Sequence, residues 1–135
     1  MKRTLGVCYY PEHWAETVWA SDAKRMVDSG LSWVRIGEFS WAKIEPEPGK
    51  FEWEWLDRAI ETLGSSGLQI VLGTPTATPP RWMLDKHPDM LAHNSSGIIR
   101  KFGSRRHYCF SHGGYREEAR RITRLMAERL SLIHI

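Results

Sequence analysis

Three short apolar runs, Leu5–Tyr10, Trp33–Gly37 and Leu68–Gly73, begin 28 and 35 residues apart, and each leads at its C-terminal end into a loop of aromatic, polar or proline residues. Parallel strands need crossovers of about a dozen residues or more, most often helical. The spacing therefore predicts repeated β/α units and an α/β fold, with a (β/α)8 barrel and a doubly wound sheet both open to it. Between the runs the apolar period becomes helical. Trp19, Ala23, Met26 and Val27 mark one helix face that stops at Ser29-Gly30, a pair suited to a C-terminal cap. Leu56, Ala59, Ile60 and Leu63 mark a second, ended by Gly64 to Gly67, and Ala119, Ile122, Met126 and Leu130 mark a closing helix. The third run is almost continuously apolar, as expected of a parallel strand buried on both faces. Thr74 to about Gly114 forms a long loop with a short helix over Arg81–Lys86, and loops of that length in compact domains are uncommon unless they work. Only three β/α units fit in 135 residues, whereas a complete barrel takes roughly 250. A barrel reading makes the chain an incomplete one.

At 41% hydrophobic the chain is too apolar for disorder. Nineteen Lys and Arg against 16 Asp and Glu leave a net charge of +3, small for the length, and interspersed acids disfavour a nucleic-acid-binding module. Met1 to Thr4 enter the first strand without the apolar stretch of a signal peptide, and no run approaches the roughly 18 apolar residues of a membrane span. No membrane association is expected. Cys8 and Cys109 are too few for a disulfide framework, so reduced thiols and a cytoplasmic location are expected, with mid-strand Cys8 a small buried residue. Among seven tryptophans, Trp14, Trp41 and Trp82 fall in apparent loops, where they are either platforms for sugar rings or loop-packing anchors.

In parallel α/β sheets ligands bind beyond the C-terminal strand ends, which singles out Tyr9, Tyr10, Glu38 and the Thr74–Pro80 loop. Glu38, between Gly37 and Phe39, reads either as a desolvated functional carboxylate or as one paired with a structural arginine. Glycoside hydrolysis ordinarily takes two carboxylates, so Glu38 alone fills neither role. Phe102 to Phe110 gathers Arg105, Arg106, His107 and aromatics into nine residues; Arg105 suits bidentate recognition of hydroxyls or a carboxylate, the alternative being a solvated basic loop. The arginines of the closing helix, set against Glu117, Glu118 and Glu128, read as an exposed face with i,i+4 pairing. No histidine or cysteine spacing makes a self-contained metal site.

The motifs Gly6-Val-Cys-Tyr-Tyr-Pro-Glu-His-Trp14, Val34-Arg-Ile-Gly-Glu-Phe-Ser-Trp-Ala42 with Glu45-Pro-Glu-Pro-Gly49, Gly73-Thr-Pro-Thr-Ala-Thr-Pro-Pro80 and Phe102-Gly-Ser-Arg-Arg-His-Tyr-Cys-Phe-Ser111 occur in this order. Together they resemble the N-terminal part of the β-galactosidases of glycoside hydrolase family 42, from about Leu5 to Arg129. The resemblance implies that residues 1–135 are the first three β/α units of a catalytic TIM barrel in a parent enzyme, a homotrimer that hydrolyses terminal β-D-galactosides with retention. It implies that Arg105 binds substrate, beside Glu38 as the candidate that strand-end position supplies, and that Cys109 is one of four thiolates of a structural zinc found in some members, with no cofactor required for catalysis. Both catalytic carboxylates of the family lie beyond this chain, so no catalytic residue is expected within it. Two departures stand out. His112-Gly113-Gly114 replaces the usual continuation after Cys-Phe-Ser, and residues 130–135 depart from the family pattern as a truncated or non-native tail would. A non-catalytic carbohydrate-binding remnant using Trp14, Trp41, Trp82 and Arg105 is the alternative.

Overall fold

The computed structural model describes residues 3–131. The element order is β1 (Gly6–Cys8), α1 (Glu16–Asp28), β2 (Trp33–Ile36), α2 (Trp41–Ile44), α3 (Glu54–Ser65), β3 (Gln69–Leu72), α4 (Arg81–Lys86) and α5 (Gly113–Ser131), with single 3-10 turns at Pro11–His13 and Pro75–Ala77. Two compact units emerge. One comprises the residues up to Glu38 together with Glu52–Gly73, the other Phe39–Phe51 together with the residues from Thr74 on.

The first unit is an α/β layer. Its sheet has the order β1-β2-β3, both pairs parallel, with Val7 opposite Val34 and Val34 opposite Ile70. Because side chains alternate along a strand, Val34 and Ile36 share one face with Ile70 and Leu72, and Trp33 and Arg35 share the other with Gly6, Cys8, Gln69 and Val71. The first face is the core side. Val34 and Ile36 are fully buried, as are Trp19 and Ala23 of α1 and Leu56, Ala59 and Leu63 of α3. α1 and α3 pack on each other, and α3 packs on β3. Bidentate pairing of Arg58 with Glu16 joins the two helices at the surface.

The expected punctuation holds at α1. Gly30 takes a φ of 84°, its N–H donates to the Val27 carbonyl, and the Leu31 N–H reaches back to Met26, which is the paired capping pattern that only a left-handed residue closes cheaply. The strands are one to three residues shorter than their apolar runs, since a run also includes residues that pack without pairing. Two burial expectations need correction. Val71 is 42% exposed and Gln69 is exposed, so β3 is covered on one face only; Cys8 is exposed as well. All three point away from the helices, and among the described residues none of this unit buries them.

The second unit is built on α5, whose Ile122, Met126 and Leu130 are buried on the expected face. The long segment before it is not structureless. α4 forms at Arg81–Lys86 as anticipated, and antiparallel bridges join Leu91 to Tyr108 and His93 to Ile99. The side-chain oxygen of Asn94 accepts from the Ser96 and Ile98 amides to close that turn. α2, a single turn, went unseen in the sequence because four residues show no period.

Candidate functional site

In the first unit Glu38 lies two residues past the end of β2 and is 5% exposed. The Tyr10 hydroxyl, just past β1, donates to Glu38 Oε1 at 3.1 Å, and the Arg35 guanidinium contacts Oε2. Of the two readings of this carboxylate, the paired one describes its surroundings. Pairing does not exhaust it, because a carboxylate has about four acceptor positions and a ligand hydroxyl can take another. Gly73, which ends the third run, is required here: a Cβ at this position would lie 2.7 Å from Glu38 Cβ. Glu12 was missed in the sequence. Both its carboxylate oxygens are buried without a hydrogen-bond partner among the described residues, and nothing in a Pro-Glu-His turn announces that.

In the second unit Arg105 is exposed, with its Cζ 4.2 Å from the Phe39 ring centroid. Its neighbours are fixed. Arg106 adopts a left-handed φ of 54° and donates its amide to the Ala77 carbonyl at 3.0 Å; the His107 ring, 2% exposed, pairs Nδ1 with the Ser104 carbonyl at 2.7 Å. A non-glycine residue in that region is uncommon and costs on the order of 1 kcal/mol, so the surrounding bonds must hold the turn. Tyr108 stacks on Tyr115 at 3.8 Å, and the buried Tyr115 hydroxyl donates to the Thr76 carbonyl, with burial pushing its pKa well above the ordinary phenol value. The basic loop is thus anchored rather than freely solvated.

Trp41 and Trp82, expected in loops, lie in the short helices α2 and α4, and both are anchors, not platforms. Trp41 is fully buried and its indole N–H donates to Glu45 Oε2 at 3.0 Å; the Trp82 indole donates to the Glu45 carbonyl at 2.9 Å. A buried indole ordinarily finds such a partner. Trp14, 59% exposed, keeps an open face.

Glu45, fully buried, also accepts from the Gly49 amide at 2.8 Å and from Arg121 Nη2 at 2.8 Å. Arg121 Nε reaches Glu118 Oε2 at 2.7 Å, and Lys86 reaches Glu118 Oε1 at 2.5 Å. This corrects the exposed-face reading of α5, because Glu118 is buried and Arg121 turns inward to a carboxylate 76 residues away in sequence. Burial pushes the Glu118 carboxyl up, but the Lys86 and Arg121 hydrogen bonds outweigh it and hold the group below its usual range. A depressed folded-state acid adds stability above its ordinary pKa of about 4.3 and loses it as pH falls through the folded value. Unfolding midpoints followed from about pH 6 to about pH 3 should therefore fall less steeply for Glu118→Gln than for the natural residue in the full-length protein.

Cys109 is half-buried and its amide donates to the Met90 carbonyl at 2.7 Å. It lines a surface depression with Asp89, His93 and His112. His112 is already engaged at both nitrogens, accepting from the Tyr115 amide at Nδ1 and facing Asp89 at Nε2, 3.1 Å away. No group of three or more His, Cys, Asp or Glu able to hold a metal ion occurs among the described residues. These residues therefore do not by themselves fit a tetrahedral zinc site.

No helix of the described residues is long and apolar enough to cross a membrane. The β-galactosidase family model Glyco_hydro_42 matches residues 8–132. A β-galactosidase of Thermus thermophilus is 63% identical over 125 residues, 93% of this chain and 19% of that protein. The β-galactosidase crystal structure from the psychrophilic Marinomonas ef1 superposes with a TM-score of 0.90 at 57% identity, over 94% of this chain and 19% of that one. The corresponding figures for the enzyme from the Antarctic haloarchaeon Halorubrum lacusprofundi are 0.89, 52%, 94% and 19%. The chain thus spans about a fifth of the length of the relatives it matches, and over that fifth both its sequence and its parallel α/β fold belong to the β-galactosidases of glycoside hydrolase family 42.

Proposed function

We propose that this chain is the N-terminal part of a retaining β-galactosidase that releases terminal β-D-galactose, and that it supplies the first three β/α units of a (β/α)8 barrel. The observation that carries the reading is the 63% identity to a β-galactosidase over 93% of the chain. The open face of the sheet supports the barrel. In such barrels the face turned away from the helices is a filled interior, and here that face carries exposed Trp33, Val71 and Cys8.

In this reading Arg105 and Glu38 contact the sugar. Retaining hydrolysis uses one carboxylic acid to protonate the leaving oxygen and a second carboxylate about 5–5.5 Å away as nucleophile. Both come from the rest of the protein. Arg105 offers a fork of N–H donors to vicinal hydroxyls, and Glu38, with Tyr10 and Arg35 holding it, offers acceptor positions. A structural zinc in the longer protein would take Cys109 as one ligand and its other thiolates from outside these residues. A homotrimer and a cytoplasmic location complete the proposal; the free thiols of Cys8 and Cys109 agree with the latter. A non-catalytic sugar-binding remnant has less to rest on, since Trp41 and Trp82 are committed to Glu45.

The test is Arg105→Ala in the full-length enzyme. A charge-assisted hydrogen bond to substrate is worth about 2–3 kcal/mol, so kcat/KM on a chromogenic β-galactoside should fall roughly 30- to 150-fold. Unchanged kinetics would return Arg105 to the surface.

A further inference from the structure

Arg105 presents an arrangement that neither of its sequence readings contained. Its guanidinium has no hydrogen bond or ion pair among the described residues, yet it has a partner, because its Cζ lies over the Phe39 ring, 4.2 Å from the centroid. We infer that Phe39 is a positioning residue that holds the Arg105 guanidinium in place for sugar binding while leaving every N–H free; this rests on Arg105 contacting the sugar.

The chemistry of the contact supports it. A guanidinium is planar, its five N–H groups lie in the plane, and an aromatic ring engages the face. A carboxylate partner would fix the same arginine by occupying two donors and would compete with substrate hydroxyls. A ring fixes it without taking any. The distance is well inside the roughly 6 Å over which a cation and a ring attract each other.

Both ends of the contact are braced. On the arginine side the backbone is locked by Arg106 in its left-handed conformation, by the Arg106 amide on Ala77 and by buried His107 on Ser104, so only the side-chain torsions remain to be restricted. On the ring side Phe39 precedes buried Ser40 and the turn of α2, which Glu45 ties to Arg121 through Trp41.

The experiment is a steady-state comparison in the full-length enzyme with p-nitrophenyl β-D-galactoside, using Phe39→Leu, Phe39→Tyr and a series of ring-fluorinated phenylalanines at position 39. Fluorination drains the ring face of negative charge with little change of shape, so it moves the cation contact and spares packing. KM should rise roughly 3- to 30-fold for Phe39→Leu, stay near the natural value for Phe39→Tyr and climb stepwise with fluorine count, with kcat little changed. In an Arg105→Ala background the fluorine series should be flat. A KM indifferent to fluorination, or one that shifts equally with and without Arg105, would overturn the role of Phe39 while leaving Arg105 as a sugar contact. Full activity of Arg105→Ala would instead remove the premise itself. Should Phe39→Leu fail to fold, the fluorinated series decides alone.

Discussion

Glu45→Ala in the full-length protein is expected to lower stability by about 3 kcal/mol, read as a drop in the unfolding midpoint, with loss of soluble protein if the margin is thin. Removing the carboxylate strands the buried Trp41 indole, takes from the exposed Gly49 its amide acceptor, and takes from Arg121 one of its two carboxylate partners. Losing one partner of a buried ion pair costs about 3–5 kcal/mol, and the lower end applies because Arg121 keeps 34% side-chain exposure and still holds Glu118. A cycle with Arg121→Met sharpens the point. If the pair is the unit, the double variant should be less destabilised than the two single losses combined, because no lone guanidinium is left facing an apolar interior. Strict additivity would show that the hydrogen bonds to Trp41 and Gly49 carry the effect and the ion pair very little.

Residues 1–135 expressed alone should give no hydrolysis of a chromogenic β-galactoside above a purified blank, and no sharp thermal transition. The catalytic half follows from the carboxylates at hand. Glu38 is held by Tyr10 and Arg35, Glu45 lies under Arg121, and Glu118 under Arg121 and Lys86, so these three buried acids are each committed to a structural partner. Acid catalysis alone contributes about 10²–10⁴-fold, and without a nucleophile as well most of the acceleration is gone. The folding half follows from exposed apolar surface: Leu5, Trp33 and Val71 are 67%, 38% and 42% exposed around a three-stranded sheet with unpaired edges. A soluble monomer that unfolds cooperatively would refute the second half, and turnover would refute the first.

What the sequence made legible was whatever repeats or punctuates. The strand cadence, the helix faces of α1, α3 and α5, the capping pair Ser29-Gly30 and even the short α4 could be read from period and turn chemistry. Contacts between distant residues could not. Nothing local in the α5 segment tells Arg121, which turns inward to Glu45, from Arg120, which remains exposed; only the packed helix phase does. Trp41 and Trp82 were ambiguous for the same reason, since an indole in a loop is a platform or an anchor according to where its N–H ends up. The burial of β3 was misjudged because an apolar run records the surroundings in which a strand evolved, and in the proposed barrel those surroundings extend past this chain. Motif resemblance supplied the family, but not the ring beneath Arg105.

Gly6 and Gly73 carry a consequence for how this sequence can change over generations. A Cβ on Gly6 would fall 2.7 Å from Trp33 Cβ, and one on Gly73 would fall 2.7 Å from Glu38 Cβ, so each glycine is the negative imprint of a particular neighbour. Neither position drifts freely while its neighbour stays. Gly30 and Gly67 are different, having open space around a left-handed backbone that asparagine can also adopt at modest cost. Among descendants of this sequence, positions 6 and 73 would be expected to change only as the strands beside them shift apart, whereas positions 30 and 67 can wander between two residue types with the sheet undisturbed.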